Sequence, residues 1–192
     1  MLENKKIAIV GGGHAGLEAA FSLSRMGLHS TIITLDKKAI GRLSCNPAIG
    51  GLAKSHLVKE IDALGGIMGA AADACSIQYK TLNKTKGRAV WSLRAQVDKK
   101  KYPLYIEKLL KKNRSISILE DEAVDVLVKG ERVCGLKLKN GGVFSCKAVI
   151  ITSGTFLNGL IHIGINTYRA GRMGERGSYG LTESLRLLGF ET

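Results

Sequence analysis

The chain has 192 residues, 45% of them hydrophobic, with four cysteines and a net charge of +13 from 29 Lys and Arg against 16 Asp and Glu. Length and composition suit one globular domain, or a large piece of one, with a sizeable core. The excess of positive charge points toward polyanions such as nucleic acid or an acidic membrane surface. Cys45, Cys75, Cys134 and Cys146 form no CxxC pair and no zinc-like spacing with histidines, so no metal is expected. The apolar run near the N-terminus is too short for a signal peptide core, and no stretch is long enough to cross a bilayer, which predicts a cytoplasmic chain with reduced thiols.

Residues 6–10, KIAIV, read as a buried strand that ends in Gly11-Gly12-Gly13-His14-Ala15-Gly16. The following LEAAFSLSRMG repeats apolar residues at Leu17, Ala20, Leu23 and Met26, a helical period stopped by Gly27. STIITLD is β-branched and reads as a second buried strand, completing a β-turn-α-β unit. After a loop over 36–53, SHLVKEIDALGG puts Leu57, Val58, Ile61 and Leu64 on one helical face. Residues 69–94 show no clear period. Helical spacing returns at Tyr102, Tyr105, Ile106, Leu109 and Leu110, with Pro103 either in the first turn or kinking a helix that begins near Ala95. From 116 the pattern becomes SISIL, AVDVLV, RVCGLKL and VFSCKAVIIT, a β-meander returning to a buried strand, and LTESLRLLGF closes the chain as a helix with Gly189 as C-cap. No repeat or low-complexity linker divides it.

GGGHAG between a strand and a helix is a dinucleotide-binding pattern. Gly11 permits the turn, Gly13 lets a pyrophosphate approach the backbone, and Gly16 lets the helix pack on the sheet. His14, at the helix start, is read as a loop-shaping residue that the helix dipole keeps neutral. An acidic residue usually ends the second strand to bind ribose; Thr34 holds that position, and Asp36 comes two residues later. The meander over 123–152, followed by an apolar strand and Thr-Ser-Gly-Thr, resembles the two-dinucleotide-fold flavoproteins and favours FAD over NAD. In that arrangement the strand beginning near Val124 offers backbone groups to the adenine; without the resemblance Val124 reads as a core valine.

Between Lys80 and Arg114 lie twelve Lys or Arg against Asp98 and Glu107, with Tyr79, Trp91, Tyr102 and Tyr105 interleaved. That mixture suits phosphate contacts and base stacking, or a solvated helix face. SCNPAIGG, residues 44–51, places Cys45 after the second strand, where substrates and flavin rings meet, in a turn stiffened by Pro47 and opened by Gly50-Gly51. The residues alone leave Cys45 either a reactive thiol or a space-filling one. Cys75, Cys134 and Cys146 read as small buried hydrophobes.

GGGHAGLEAA, SCNPAIGG followed by KSHLVKEIDALGG, LNKTKGRAVWSLRAQVD, GTFLNGLIHIG and GRMGE resemble the N-terminal part of the MnmG family of tRNA uridine 5-carboxymethylaminomethyl modification enzymes, also called glucose-inhibited division protein A. The resemblance covers nearly the whole chain. It implies a Rossmann-like α/β, FAD-binding fold with an inserted β-meander. It also implies an enzyme that works with the GTPase MnmE on carbon 5 of the wobble uridine, drawing on FAD, NADH, methylenetetrahydrofolate and glycine or ammonium. FAD contacts are implied at Gly11, Gly12, Gly13, His14, Ala15 and Gly16, at Val124 and at Ser178. Cys45 is implied as a required thiol, a nucleophile toward the uracil or the one-carbon adduct. Arg88 and Arg176-Gly177 depart from the family, standing where many members carry proline.

Family chains continue with the rest of the flavin domain, an NADH-binding insertion and a helical C-terminal domain that docks the GTPase. Residues 1–192 are therefore expected to be the N-terminal part of an FAD-binding domain, not autonomously catalytic, from an enzyme expected to be a homodimer. Two other readings remain. One is a folate- and FAD-dependent tRNA uridine methyltransferase, in which SCNPAIGG is not expected. The other is a non-catalytic nucleic-acid-binding module that retains the fold.

Overall fold

The protein is described by a computed structural model covering residues 6–192. In chain order the first elements are β1 (Ile7–Val10), α1 (His14–Arg25), β2 (Ser30–Thr34), β3 (Ala48–Gly50), α2 (Lys54–Ala63), α3 (Ile67–Cys75), β4 (Ser76–Leu82), β5 (Ser92–Val97), α4 (Lys101–Lys112) and β6 (Ile116–Glu120). They are followed by β7 (Ala123–Lys129), β8 (Arg132–Leu138), β9 (Val143–Ser145), β10 (Ala148–Ile151), β11 (Leu160–Ile163), β12 (Asn166–Arg169) and α5 (Leu181–Leu187).

Four parallel strands make the central sheet in the order β10-β1-β2-β6. Alternate residues feed two cores. Ile9, Ile32 and Ile116 pack with Leu17 and Phe21 of α1, Ala71 and Ala72 of α3, and Ile106 of α4. Ala8, Val10 and Ile33 pack on the other face with Ala123 and Val126 of β7, Leu136 and Leu138 of β8, and Leu181 of α5. The result is three layers: helices, parallel sheet, meander. Burial on both faces is why β1 and β2 read as continuous apolar runs. This is the expected Rossmann-like α/β architecture with a β-meander.

The meander proper is β7-β8-β9, antiparallel. SISIL does not join it: that segment is β6, the edge of the parallel sheet beside β2. VFSCKAVIIT is two strands, broken at Cys146-Lys147, where the chain leaves the meander to pair with β1. α5 is pinned to β7 through Ser184, whose Oγ accepts the Val126 amide at 2.9 Å and donates to Asp125.

Residues 69–94 contain α3, β4 and the start of β5, which with β3 make an antiparallel sheet in the order β3-β5-β4. Pro103 lies in the first turn of α4, where a missing N–H costs nothing. Ala95 belongs to β5, and Asp98 starts the helix by accepting the amides of Lys100 and Lys101 at 2.8 and 3.0 Å. The four apolar residues of the 55–66 helix do not form a buried face. Leu57 and Leu64 are 58% and 81% exposed. Gly66 and Gly69 let α3 approach through Ile61 and Asp62 instead, and besides these Ser55 is buried and Val58 packs against the core. Among the described residues no helix is long and apolar enough to cross a membrane.

Candidate functional site

A cleft of about 650 Å³ opens at the C-terminal ends of β1, β2 and β10, the edge where open α/β sheets bind ligands. Its floor is the glycine loop. Gly11 has φ +110, and a Cβ there would stand 2.5 Å from the Thr152 carbonyl oxygen. A Cβ on Gly16 would run into the Gly11 carbonyl, so Gly16 fixes how closely α1 approaches the loop. Gly13 differs: a Cβ there meets nothing within 4 Å. The open space lies at the N-terminus of α1, whose N-cap is Gly13, with no side-chain cap and no acidic residue in the first turn. Unpaired amides and the positive end of the helix dipole therefore face the cleft, an arrangement suited to a pyrophosphate.

The second wall follows β2. The Thr34 hydroxyl donates to the Asp36 carbonyl at 3.3 Å, and Asp36 Oδ1 accepts the Lys38 amide at 2.8 Å, closing the turn over 37–39. Both Thr34 and Asp36 face the cleft. The third wall is Thr152 to Phe156, with the Thr152 hydroxyl between the carbonyls of Val10 (2.9 Å) and Gly11 (3.1 Å).

Glu122 lies at the far end, its side chain 1% exposed. It accepts bonds from Lys139 Nζ at 2.8 Å and the Tyr179 amide at 2.9 Å, and Arg176 lies 3.8 Å away. Burial pushes this carboxyl up, but the bonds from Lys139 and Tyr179 and the two positive charges outweigh it and hold Glu122 below the usual carboxylate range. Above the loop, Arg42 pairs with Glu175 at 2.6 Å, and Arg172 sits over the Phe156 ring. Burial, then the Arg172 charge, lowers the His14 pKa, so the imidazole is neutral at neutral pH. Its ring stands 5.7 Å from that of Tyr102, and its Nε2 is buried without a partner.

A family model for glucose inhibited division protein A matches residues 6–192. The chain belongs to that family. It is 50% identical over 185 residues to the tRNA uridine 5-carboxymethylaminomethyl modification enzyme MnmG of Thermodesulfovibrio yellowstonii, covering 96% of this chain and 30% of that one. Among solved structures, GidA of Aquifex aeolicus superimposes with a TM-score of 0.91 at 46% identity, over 98% of this chain and 31% of that one. The GidA-related protein from Thermus thermophilus, at 21% identity and TM-score 0.66 over 97% of this chain and 69% of that one, shares the fold. The chain thus spans about 30% of the length of the curated relatives it matches.

In this chain Gly11, Gly12, Gly13, His14, Ala15 and Ser178 all reach the cleft wall, and Gly16 lies just behind it. Val124 is not in the wall. Asp121, Glu122 and Ala123 are, and Val124, in β7, packs against Gly180 at the start of α5. Ser44 lines the cleft, while Cys45, the next residue in the chain, is exposed and is not part of the wall. Cys75 and Cys146 are buried as expected, and burial pushes both thiols up. Cys134 is exposed, contrary to expectation, because it lies at the open end of β8, with its sulfur 3.3 Å from the Leu127 carbonyl.

The basic stretch also divides. Tyr102 is 1% exposed and Tyr105 packs against the core, so neither is free to stack; Tyr79 and Trp91 remain open. Sequence reasoning missed Glu122 and the Arg42–Glu175 pair. The only signal for either was a charged residue beside a strand or glycine turn.

Proposed function

We propose that this chain forms the flavin half-site of a tRNA wobble-uridine modifying enzyme, with FAD in the cleft and Cys45 at its mouth. One observation carries the reading. The uncapped N-terminus of α1 opens onto free space at Gly13, where a Cβ would meet nothing within 4 Å, and the SCNPAIGG loop reaches the same cleft through Ser44. The names of the relatives supply the substrate class, uridine in tRNA.

In this reading the amides of Gly12 to Ala15 hold the pyrophosphate, and Asp36, with one oxygen engaged by Lys38, offers the other to a ribose hydroxyl. Peptide groups of Asp121 to Ala123 face the adenine, and Ser178 lies along the same wall. Neutral His14 and the Thr152–Thr155 turn border the region for the ring. FAD, when bound, supplies hydride and electron transfer. Cys45, exposed beside Ser44, is the nucleophile toward the uracil or toward the one-carbon adduct. The whole enzyme is a cytoplasmic homodimer that uses NADH and methylenetetrahydrofolate and works with the GTPase MnmE, through parts of the relatives' length that this chain does not span.

The test is the visible absorption spectrum of the purified chain after incubation with FAD and dialysis. Retained flavin, lost in a Gly13→Asp variant that melts at the wild-type temperature, is the expected result. A folded chain that retains no flavin overturns the reading.

A further inference from the structure

The antiparallel β3-β5-β4 sheet carries an arrangement that its own stability does not explain. Lys80 of β4 and Arg94 of β5 stand directly opposite each other, so both cations project from one face of the sheet. Like charges in this position repel, with Cβ atoms only about 5 Å apart. Neither forms an ion pair among the described residues. On the other side of Arg94 stands Gly50, which contributes no side chain to cover it. Two residues along the same face, about 7 Å away, Gln78 lies opposite Gln96. The whole of 76–97 carries five Lys or Arg and no Asp or Glu.

A lysine on an edge strand is a common guard against strand addition. That accounts for Lys80 in β4, which is an edge. It does not account for Arg94, which lies on the central strand β5. Two cations backed by two amides, with no ion-pair partner among the described residues, fit the oxygens of a phosphate chain. The direction of the row matters as well. Gln96 is opposite Ala48, and Val97 donates its amide to the Pro47 carbonyl at 2.8 Å, so the row runs from Lys80 and Arg94 toward the loop that holds exposed Cys45.

We propose that Lys80, Arg94, Gln78 and Gln96 form a phosphate-binding track that holds the backbone of the substrate RNA and leads it to the Cys45 loop. The assignment rests on the reading of the chain as part of a tRNA-modifying enzyme. The exposed cations of α4, Lys108 and Lys112, lie on a separate helix and act as a solvated face.

The test is binding of a fluorescently labelled tRNA transcript by the 192-residue chain, measured by anisotropy across a salt series. Each lost phosphate contact removes about 0.7–0.9 from the slope of log K against log salt, so Lys80→Gln with Arg94→Gln should lower it by roughly 1.5 and weaken binding at low salt by tenfold or more. The same double variant should melt no lower than wild type, because it removes a repulsion; a purely structural role would lower it. Lys80→Arg with Arg94→Lys should retain binding, and Lys108→Gln with Lys112→Gln should leave the slope nearly unchanged. The proposal is overturned if the α4 variant loses as much as the sheet variant, if the folded chain binds no tRNA at low salt, or if the sheet variant loses binding to phosphatidylserine vesicles and not to tRNA. A chain that binds tRNA through this face yet retains no FAD would sink the cofactor reading and leave the track standing.

Discussion

Arg42 and Glu175 meet at 2.6 Å across the mouth of the cleft, joining the loop after β2 to the turn that precedes Ser178. Their side chains are 39% and 28% exposed, so water screens the pair and its share of stability is about 0.2–1 kcal/mol. Its position matters more than its strength, because both residues border the space assigned to the flavin. Arg42→Ala should change the melting temperature little and speed FAD release severalfold, read from the recovery of flavin fluorescence on dilution. Unchanged release would mean that the pair does not gate the cleft.

Two glycines of one loop should respond in opposite ways. A methyl group at Gly16 collides with the Gly11 backbone, which cannot move without shifting α1 off β1. Gly16→Ala should therefore cost about 1–3 kcal/mol or more, the range for overpacking a tight contact. At Gly13 a methyl group enters open space at φ −76, an ordinary conformation for alanine. Gly13→Ala should cost about 1 kcal/mol or less through the altered N-cap, while a methyl group in the pyrophosphate space weakens FAD binding at least tenfold. Thermal melts and flavin titrations on the two variants separate the effects.

The four cysteines should alkylate in two classes. Cys45 and Cys134 are exposed; Cys75 and Cys146 are buried, and burial pushes their thiols up. Brief iodoacetamide treatment followed by peptide mass mapping should label the first two and spare the others until the chain is unfolded. Cys45→Ser should leave the stability within about 0.5 kcal/mol of wild type, as for surface substitutions. In an enzyme of full family length it should abolish uridine modification. Early labelling of Cys146 would contradict the packing of the meander on β1.

Residues 6–34 announced themselves because β1 and β2 are buried on both faces and flank a glycine turn whose backbone demands are visible in the residue types, whereas the expected loop over 36–53 contains the short strand β3. The 69–94 region did not. β4 is an edge strand whose Ile77, Gln78, Tyr79 and Lys80 are all exposed, so no alternation marks it. Tyr102 carried two signals, the apolar helical period it shares with Ile106 and a place among the aromatics of the basic run; its helix turns it inward beside Ile106 and Leu110, so the period decides. Glu18 was invisible for another reason: its carboxylate accepts the amides of Ile67 and Met68, starting α3 from a distant helix. Such a partner has no local signature. The strand near Val124 was expected from resemblance to offer backbone groups to an adenine; the cleft wall is lined by the three residues before Val124.

Glu122 is the buried carboxylate on which this end of the cleft depends, and its behaviour with pH follows from its partners. Its folded pKa is held below the ordinary value, with burial opposed by the bonds from Lys139 and Tyr179 and by the Arg176 charge. In the unfolded chain it titrates near about 4.3. The stabilisation is therefore fully present above that value and is lost as pH falls through the lower folded value. Glu122→Gln should cost about 1–3 kcal/mol at neutral pH, the range for bonds to a charged group. The gap between variant and wild type should narrow in urea melts taken from about pH 7 down to about pH 3. Lys139→Ala should cost less, since Lys139 is 53% exposed and Glu122 keeps the Tyr179 amide. Because that amide belongs to the residue after Ser178, the Glu122 variant should also loosen FAD; a gap that stays constant with pH would show that the carboxylate is not ionised in the folded chain.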